Sequence, residues 1–368
     1  MRLTFLKLVN FRNYSKLEVE FHPRLNIIYG MNGSGKTNLV EGIYVLALTR
    51  SFRIVGDKTL ISDNETASKI EGIIDDSFHT NFRIIINKEG KKVKINNKKV
   101  AKLSEYISKI PIVLFHPDDL RFIKDTPSTR RKTLNISISE LDLEYLRYLN
   151  YYNKILKQRN AYLKQMLINN TKDSSFLDIL TEKLVDYGLY LFKKRKEFLD
   201  NINNYIAIYY ERITGCKGVK VLYESDYDNL NKEELINLYK KCLVKDLSFG
   251  KTNLGIHTDD LKFVIDNKDF KDYGSEGQQK NAIIAYKFSE LEIFKNVKGS
   301  YPILILDDLF SELDSEKKDN ILKLLDDNIQ TFITTTDLNL FPSIDQYGYK
   351  KFLIKDGNIL EEGIHERR

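Results

Sequence analysis

The sequence predicts an α/β fold interrupted by a helical insertion, on three observations. An apolar strand, LNIIY, runs straight into a glycine-rich turn, GMNGSGKT, at residues 30–37. A second apolar strand, ILIL, ends in the acid pair Asp307 and Asp308. Between the two lies a long stretch in which Leu141, Tyr145, Tyr148, Tyr152 and Ile155 recur at helical spacing.

Taken in order, the N-terminus alternates apolar and polar residues in LTFLKLVNF and KLEVEF, and LNIIY follows, so three strands are expected. After the turn, Leu39, Ile43, Leu46 and Ala47 sit one helical turn apart and predict a helix. Residues 66–100 predict antiparallel strands with tight turns at 88–91 and at Asn96-Asn97. IPIVLF at 110–115 is one more strand, stopped by Pro117. A second stripe in the middle, Leu146, Leu149, Leu156, Leu163 and Leu167, breaks at NNTKDSS (169–175). It resumes with Leu177, Leu180, Leu184, Tyr187, Leu191 and Phe198, which predicts two helices folded back at that break. Strand and helix then alternate again through KFVI, QKNAIIAYKFSELEIF, PILILDDLF and QTFITTTD, and a terminal hairpin turns at Asp356-Gly357. Three segments follow: 1–118, an inserted arm at 119–245, and 246–368.

The composition narrows the function classes. Hydrophobic residues at 42% and charged residues at 30% suit a folded globular chain, and 18 Gly with 6 Pro exclude collagen-like or linker-like sequences. No apolar run approaches the roughly 18 residues that span a bilayer. Arg2, Lys7 and Arg12 interrupt any signal-peptide pattern, and Cys216 and Cys242 form no CxxC pair, so a cytoplasmic location is expected and no membrane partner. The net charge of +6 is modest, but residues 83–102 carry eight Lys/Arg against one acid, and 121–213 carry seventeen against eleven. Each cluster reads either as a solvated surface or as a face for a polyanion. Lys91, Lys92, Lys94, Lys98 and Lys99 on the hairpin, with Arg130 and Arg131 beyond it, are the candidate contacts for such a polyanion. For the two arginines, structural pairing with acids is the alternative, and KKRK at 193–196 reads as a third cluster or a wet helix face.

GMNGSGKT fits GxxxxGK[ST] between a strand and a helix. Gly30, Gly33 and Gly35 let backbone N–H groups converge on phosphate oxygens, with Met31, Asn32 and Ser34 supplying the rest of the cradle. The helix N-terminus adds positive potential, Lys36 a full charge and Thr37 a hydroxyl for Mg²⁺. Asp307 is the expected metal carboxylate, and Asp308 is placed to orient an attacking water as general base. GSEGQQKN at 274–281 opens a helix and has two readings: a second anion-binding surface made by Ser275, Gly277 and Gln278, or a plain helix cap by Ser275.

The order of these motifs, with SEGQQ, LILDDLFSELD and FITTTD, resembles the ABC-type ATPases of the SMC class. Within it, LKLVNFRNY (6–14), RSFR (50–53) and FHPDDLRFIKDTPSTRRKTLNI (115–136) resemble the RecF family along nearly the whole chain. The fold implied is an SMC-head-like P-loop ATPase domain with an inserted α-helical arm. By that resemblance Ser275, Gly277 and Gln278 contact ATP in trans across an ATP-dependent homodimer, SELD (311–314) lies at the dimer interface, and Arg12 and Asn13 approach the phosphates. The family also implies gapped or ss/ds junction DNA as ligand, slow ATP hydrolysis, RecR and through it RecO and RecA as partners, and roles in replication and SOS induction. Departures from the family are Asp125 for Gly, Asn135 for Asp and Lys280 for Arg. Asp308 and Thr336 stand where ABC transporters have Glu and His, which implies slow turnover. The competing readings are an SMC-like clamp without a repair role, a P-loop kinase, and a transporter-type ATPase subunit.

Overall fold

A computed structural model describes all residues except 54–55, 76–77, 170–173, 339–343 and 367–368. The chain divides into two compact units, one of residues 1–120, 209–216 and 284–368, the other of 121–208 and 217–283.

The first unit opens with strands β1 (Arg2–Phe11), β2 (Tyr14–Glu20) and β3 (Leu25–Tyr29), helix α1 (Lys36–Leu48), and strands β4 (Ala67–Asp75), β5 (Thr80–Asn87), β6 (Gly90–Ile95) and β7 (Lys98–Lys99). A short helix α2 (Ser104–Ile107) and strand β8 (Ile112–Phe115) follow. Among the described residues one sheet has the order β2-β1-β4-β5-β6-β7 and is antiparallel throughout. Its strands β4 and β5 read buried at every second position, because one face packs inward. Asn96 and Asn97 both have positive φ, the conformation a two-residue hairpin turn requires.

The second unit begins with α3 (Pro127–Leu141), α4 (Leu143–Asn169) and α5 (Ser175–Thr214), the last of which runs on into the first unit. Asp142 separates α3 from α4, so Leu141 is not on the same helix as the tyrosines after it. Tyr148 stacks on Tyr190 at 4.1 Å, Arg159 donates to Thr181 at 3.0 Å and Tyr162 meets Phe176 at 5.1 Å. These pairs converge toward the break, as two antiparallel helices require; residues 170–173 of the break lie outside the described residues. Strand β9 (Val219–Glu224), helix α6 (Lys232–Phe249), strands β10 (Asp260–Ile265) and β11 (Lys268–Asp269), and helices α7 (Phe270–Tyr273) and α8 (Glu276–Lys298) complete this unit, α8 continuing into the first. The sequence places the arm's end at 245, whereas the compact unit reaches Ile283, because β10 pairs with β9 and β11 in a small sheet of their own.

A buried polar network ties the second unit together. Arg195, the third residue of KKRK, donates to Asp259 at 2.9 Å, to the Ile256 carbonyl and to Asn135 at 3.0 Å, with both members of the ion pair 1% exposed. Arg159 likewise donates to Asp246 and Thr252, each at 2.7 Å. Lys194 and Lys196 pair with Asp142 and Asp228, leaving Lys193 as the member of the run without an acid partner among the described residues. KKRK is therefore split: Arg195 is internal, while Lys193 and Lys196 lie on the wet face of the helix.

The first unit resumes with β12 (Ile303–Asp307), α9 (Ser315–Leu324), β13 (Thr331–Thr335), β14 (Tyr349–Lys355) and β15 (Asn358–His365). They join β3 and β8 in a second sheet of order β15-β14-β3-β13-β12-β8, parallel except for the terminal hairpin. The central strands are buried without alternation, polar residues such as Asn26, Thr331 and Thr334 included, as strands covered on both faces are. Among the described residues no helix is long and apolar enough to cross a membrane.

Arg195→Ala strands the buried Asp259 carboxylate, and removal of one member of such a pair costs about 3–5 kcal/mol. Urea unfolding followed by circular dichroism should show a loss of that size; a loss below about 1 kcal/mol would mean that the network does not hold the unit.

Candidate nucleotide site

Strand register builds this site. In the parallel sheet Ile28 aligns with Thr334, Asp307 with Thr334, and Leu306 with Phe115. The C-terminal ends of four strands therefore meet at one edge, which gathers Gly30, Thr334, Asp307 and His116. Ligand sites in open parallel sheets form at that edge.

Gly30, Gly33 and Gly35 have φ of 151°, 80° and 118°, all values that a side chain disfavours. A Cβ on Gly35 would lie 2.7 Å from the Asn13 amide nitrogen and 3.0 Å from the Tyr14 hydroxyl, so glycine is needed there for space as well. Asn13 donates to the Ser34 carbonyl at 3.3 Å and accepts from Asn38 at 2.7 Å, and Tyr14 donates to the Gly35 carbonyl at 3.0 Å. The Lys36 ammonium folds back on the loop, donating to the carbonyls of Gly30 at 2.8 Å and Met31 at 2.9 Å. Burial holds the Lys36 pKa below the ordinary lysine value, against the pull of Asp308 and Asp307. Met31, Asn32 and Gly33 are exposed along the loop's outer side.

Thr37 donates to Asp307 Oδ1 at 3.1 Å and Thr334 to the same oxygen at 2.6 Å, while His116 Nε2 stands 3.6 Å from Oδ2. Thr334 also accepts from the Asp308 backbone N–H at 2.9 Å, which helps set Asp308 in a left-handed conformation at φ 50°. Burial pushes the Asp307 pKa up, opposed by Thr334, His116, Thr37 and Arg53. Two buried oxygens here, Ser34 Oγ and Asp308 Oδ1, have no hydrogen-bond partner among the described residues. A buried carboxylate with a hydroxyl beside it and an unpartnered carboxylate oxygen next along the chain is an oxygen donor set that suits a hard divalent cation. Thr37 and Asp307 would hold it, and the backbone of residues 30–35 with Lys36 would hold a triphosphate.

Other expected residues are placed differently. Arg12 is bidentate to the fully buried Glu41, at 2.9 and 2.7 Å, and also donates to the Thr59 carbonyl. Glu41 further accepts from Ser51 at 2.5 Å and stands 3.5 Å from Arg53, so Arg12 is held on α1 and not aimed at the loop. Ser275 accepts from the Gln278 N–H at 3.3 Å, and Gln278 accepts from the Ser275 N–H at 2.9 Å, a reciprocal capping box at the start of α8. Of the two readings of this motif, the cap is thus present within the chain. Gly277 beside it is exposed, and a Cβ there would meet nothing within 4 Å. Asp314 of SELD caps α9, accepting from Lys317 N at 3.0 Å.

The DNA candidates divide. Arg130 is 3% exposed, bidentate to Asp260 at 2.6 and 2.8 Å, and donates to the carbonyls of Phe122, Ile123 and Asp125. Arg131 is half-buried and donates to the Asp259 carbonyl. Structural pairing is therefore the role seen for Arg130, and it corrects the expectation of a phosphate contact. Lys91 is likewise used, paired with Asp57 at 2.7 Å and bonded to the Thr49 carbonyl, its side chain 11% exposed. Lys92, Lys98 and Lys99 are exposed, and Lys94 is directly opposite Lys99 in the hairpin. Two ammonium groups facing each other on a strand pair repel unless an anion joins them.

His116, Thr334, Glu41 and Asn38 escape a motif-based reading. His116 and Thr334 could have been found by aligning each strand's last apolar residue with that of ILIL, since parallel register brings those ends together.

The RecF/RecN/SMC N-terminal domain family matches residues 2–352. The DNA replication and repair protein RecF of Ligilactobacillus salivarius (strain UCC118) is 37% identical over 371 residues, covering 98% of each chain. RecF of Streptococcus agalactiae serotype Ia is 39% identical over 370 residues, covering 99% of this chain and 98% of its own. A solved structure of the recombination mediator protein RecF with ATP in the RecFOR pathway superposes with a TM-score of 0.89 at 34% identity, covering 98% and 97% of the two chains. The SMC head domain of Pyrococcus furiosus, bound to the C-terminal domain of ScpA, superposes at 0.54 with 18% identity over 99% and 96%, a likeness of fold alone. The ABC-type α/β head with a helical insertion is the fold of this chain.

Proposed function

The chain belongs to the RecF family, and on that premise we propose that it is an ATP-dependent DNA-binding protein of replication and recombinational repair. In this reading two copies close on nucleotide, and closure forms a clamp on gapped or junction DNA in the cytoplasm. The solved relative named above binds ATP and acts in the RecFOR pathway, so RecR, and through it RecO and RecA, are the proposed partners.

One observation carries the dimer. Glycine near a helix start is less favourable than alanine by up to about 1 kcal/mol, yet nothing among the described residues requires Gly277. It has no left-handed φ, and the space around its missing Cβ is open. A surface on which something must approach the backbone closely accounts for it. Ser275 and Gln278 flank that spot at the N-terminus of α8, whose positive end favours an anion. The family's trans contact to a γ-phosphate fits there, and the P-loop kinase reading leaves Gly277 without a use.

At the P-loop, residues 30–35 bind the phosphates through backbone N–H groups, and Lys36 leaves its loop carbonyls to pair with them. Thr37 and Asp307 would hold Mg²⁺, which would supply positive charge to offset that of the phosphates. Asp308, whose buried Oδ1 has no partner among the described residues, orients an attacking water as general base. Its shorter reach than glutamate suits a slow switch. Lys92, Lys94, Lys98 and Lys99 contact DNA phosphates without sequence preference.

Gly277→Leu should leave the thermal midpoint and monomer nucleotide binding unchanged while abolishing ATP-dependent dimerisation; an undiminished dimer in sedimentation velocity would remove the trans contact. Replacing Lys92, Lys94, Lys98 and Lys99 with Gln should weaken DNA binding and flatten the slope of log K against log salt by about 0.9 for each duplex phosphate no longer neutralised. An unaltered slope would move the DNA surface away from this hairpin.

A further inference from the structure

His116, like Thr334, is a side chain at the strand-end site that neither the phosphate loop nor the acid pair accounts for. It follows β8 directly, and register with β12 sets it beside Asp307. Its ring is held on several sides. Phe52 of the RSFR segment packs on it at 4.9 Å, and Tyr44 braces Phe52 edge-on at 5.4 Å. The His116 backbone N–H donates to Asp119 Oδ2 at 2.9 Å, which fixes the turn. The Asp118 N–H donates to His116 Nδ1 at 3.2 Å. With Nδ1 an acceptor, the ring proton sits on Nε2, and Nε2 faces Asp307 Oδ2 at 3.6 Å. The competing acceptor for a proton on Nδ1 is the Asp118 carboxylate, 3.5 Å away, but its side chain is 84% exposed and solvated.

The two oxygens of Asp307 are thereby assigned to different partners. Oδ1 takes the Thr37 and Thr334 hydroxyls, and Oδ2 has only His116 within reach among the described residues. A carboxylate about to bind a cation needs its rotation fixed, and groups that fix a ligand's orientation are commonly worth 10–100-fold in metal affinity. At 3.6 Å the contact is too long for a hydrogen bond and well within electrostatic range for a site this dry.

We propose that His116 is a positioning residue for Asp307: its Nε2–H anchors Oδ2 and so presents Oδ1, beside Thr37, to the divalent cation. The inference rests on the nucleotide reading above and assigns His116 a role through Asp307, not as a ligand. Specificity for the N–H group follows. A glutamine at 116 can place its amide nitrogen near the Nε2 position, whereas an asparagine reaches only as far as Nδ1.

The test is a Mg²⁺ titration of a fluorescent ATP analogue bound to the full chain, with His116→Gln and His116→Asn beside the unaltered protein. His116→Asn should raise the Mg²⁺ midpoint about tenfold or more, His116→Gln should stay near the unaltered protein, and analogue affinity without metal should be the same in all three. Equal midpoints in all three, or glutamine failing as badly as asparagine, would overturn the proposal. Nitrogen-15 imidazole spectra of the nucleotide-free protein give an independent readout that needs no variant to fold. A proton on Nε2 supports the anchor, and a proton on Nδ1 overturns it. Lys36→Ala separates the two levels: if it binds the analogue as well as the unaltered protein does, the nucleotide reading fails, whatever His116 does.

Discussion

The Asp307 carboxylate is the constraint on which the site depends. It is a buried charge at the end of a central strand, and such a group persists only where other groups satisfy it. Two neighbouring strand ends and the first turn of α1 supply them: Thr334 from β13, His116 after β8, and Thr37 from α1. The parallel sheet exists in functional terms to make those ends coincide. Moving any of these strands by one residue would turn the corresponding side chain to the other face of the sheet.

Around that centre, charge is distributed with a consistent logic. Cations that the sequence offers as contacts for an anion are taken up internally wherever an acid lies nearby. Arg12 serves Glu41, Arg130 serves Asp260, Arg195 serves Asp259, and Lys91 serves Asp57. Among the candidates, what stays open to solvent or a polyanion includes Lys193 and the outer part of the hairpin, where Lys94 and Lys99 face one another. Arg130 and Arg195 also show why the basic insertion cannot be read as one electropositive surface.

Local chemistry made much of this legible in advance. GMNGSGKT between a strand and a helix, the acids after ILIL and the Asn96-Asn97 turn are signals whose structural meaning is carried by a few adjacent residues, and each formed as expected. The helical break was visible because the apolar stripe stops. What stayed hidden depends on partners distant in sequence. No local pattern says that Arg130 will meet Asp260, or that His116 will stand beside Asp307, because both follow from strand register and helix packing. The second unit runs past the expected arm end for the same reason: β10 looks like any short strand, and only its pairing with β9 assigns it to that unit.

The central claim is that nucleotide joins two copies of this chain, and the most direct measurement is sedimentation velocity of the unaltered protein with ATP, Mg²⁺ and a gapped duplex. A dimer on DNA with ATP, and monomer when ATP is replaced by ADP, is the expected result. A protein that stays monomeric at saturating ATP on gapped DNA, or a dimer that forms equally well with no nucleotide, would contradict it.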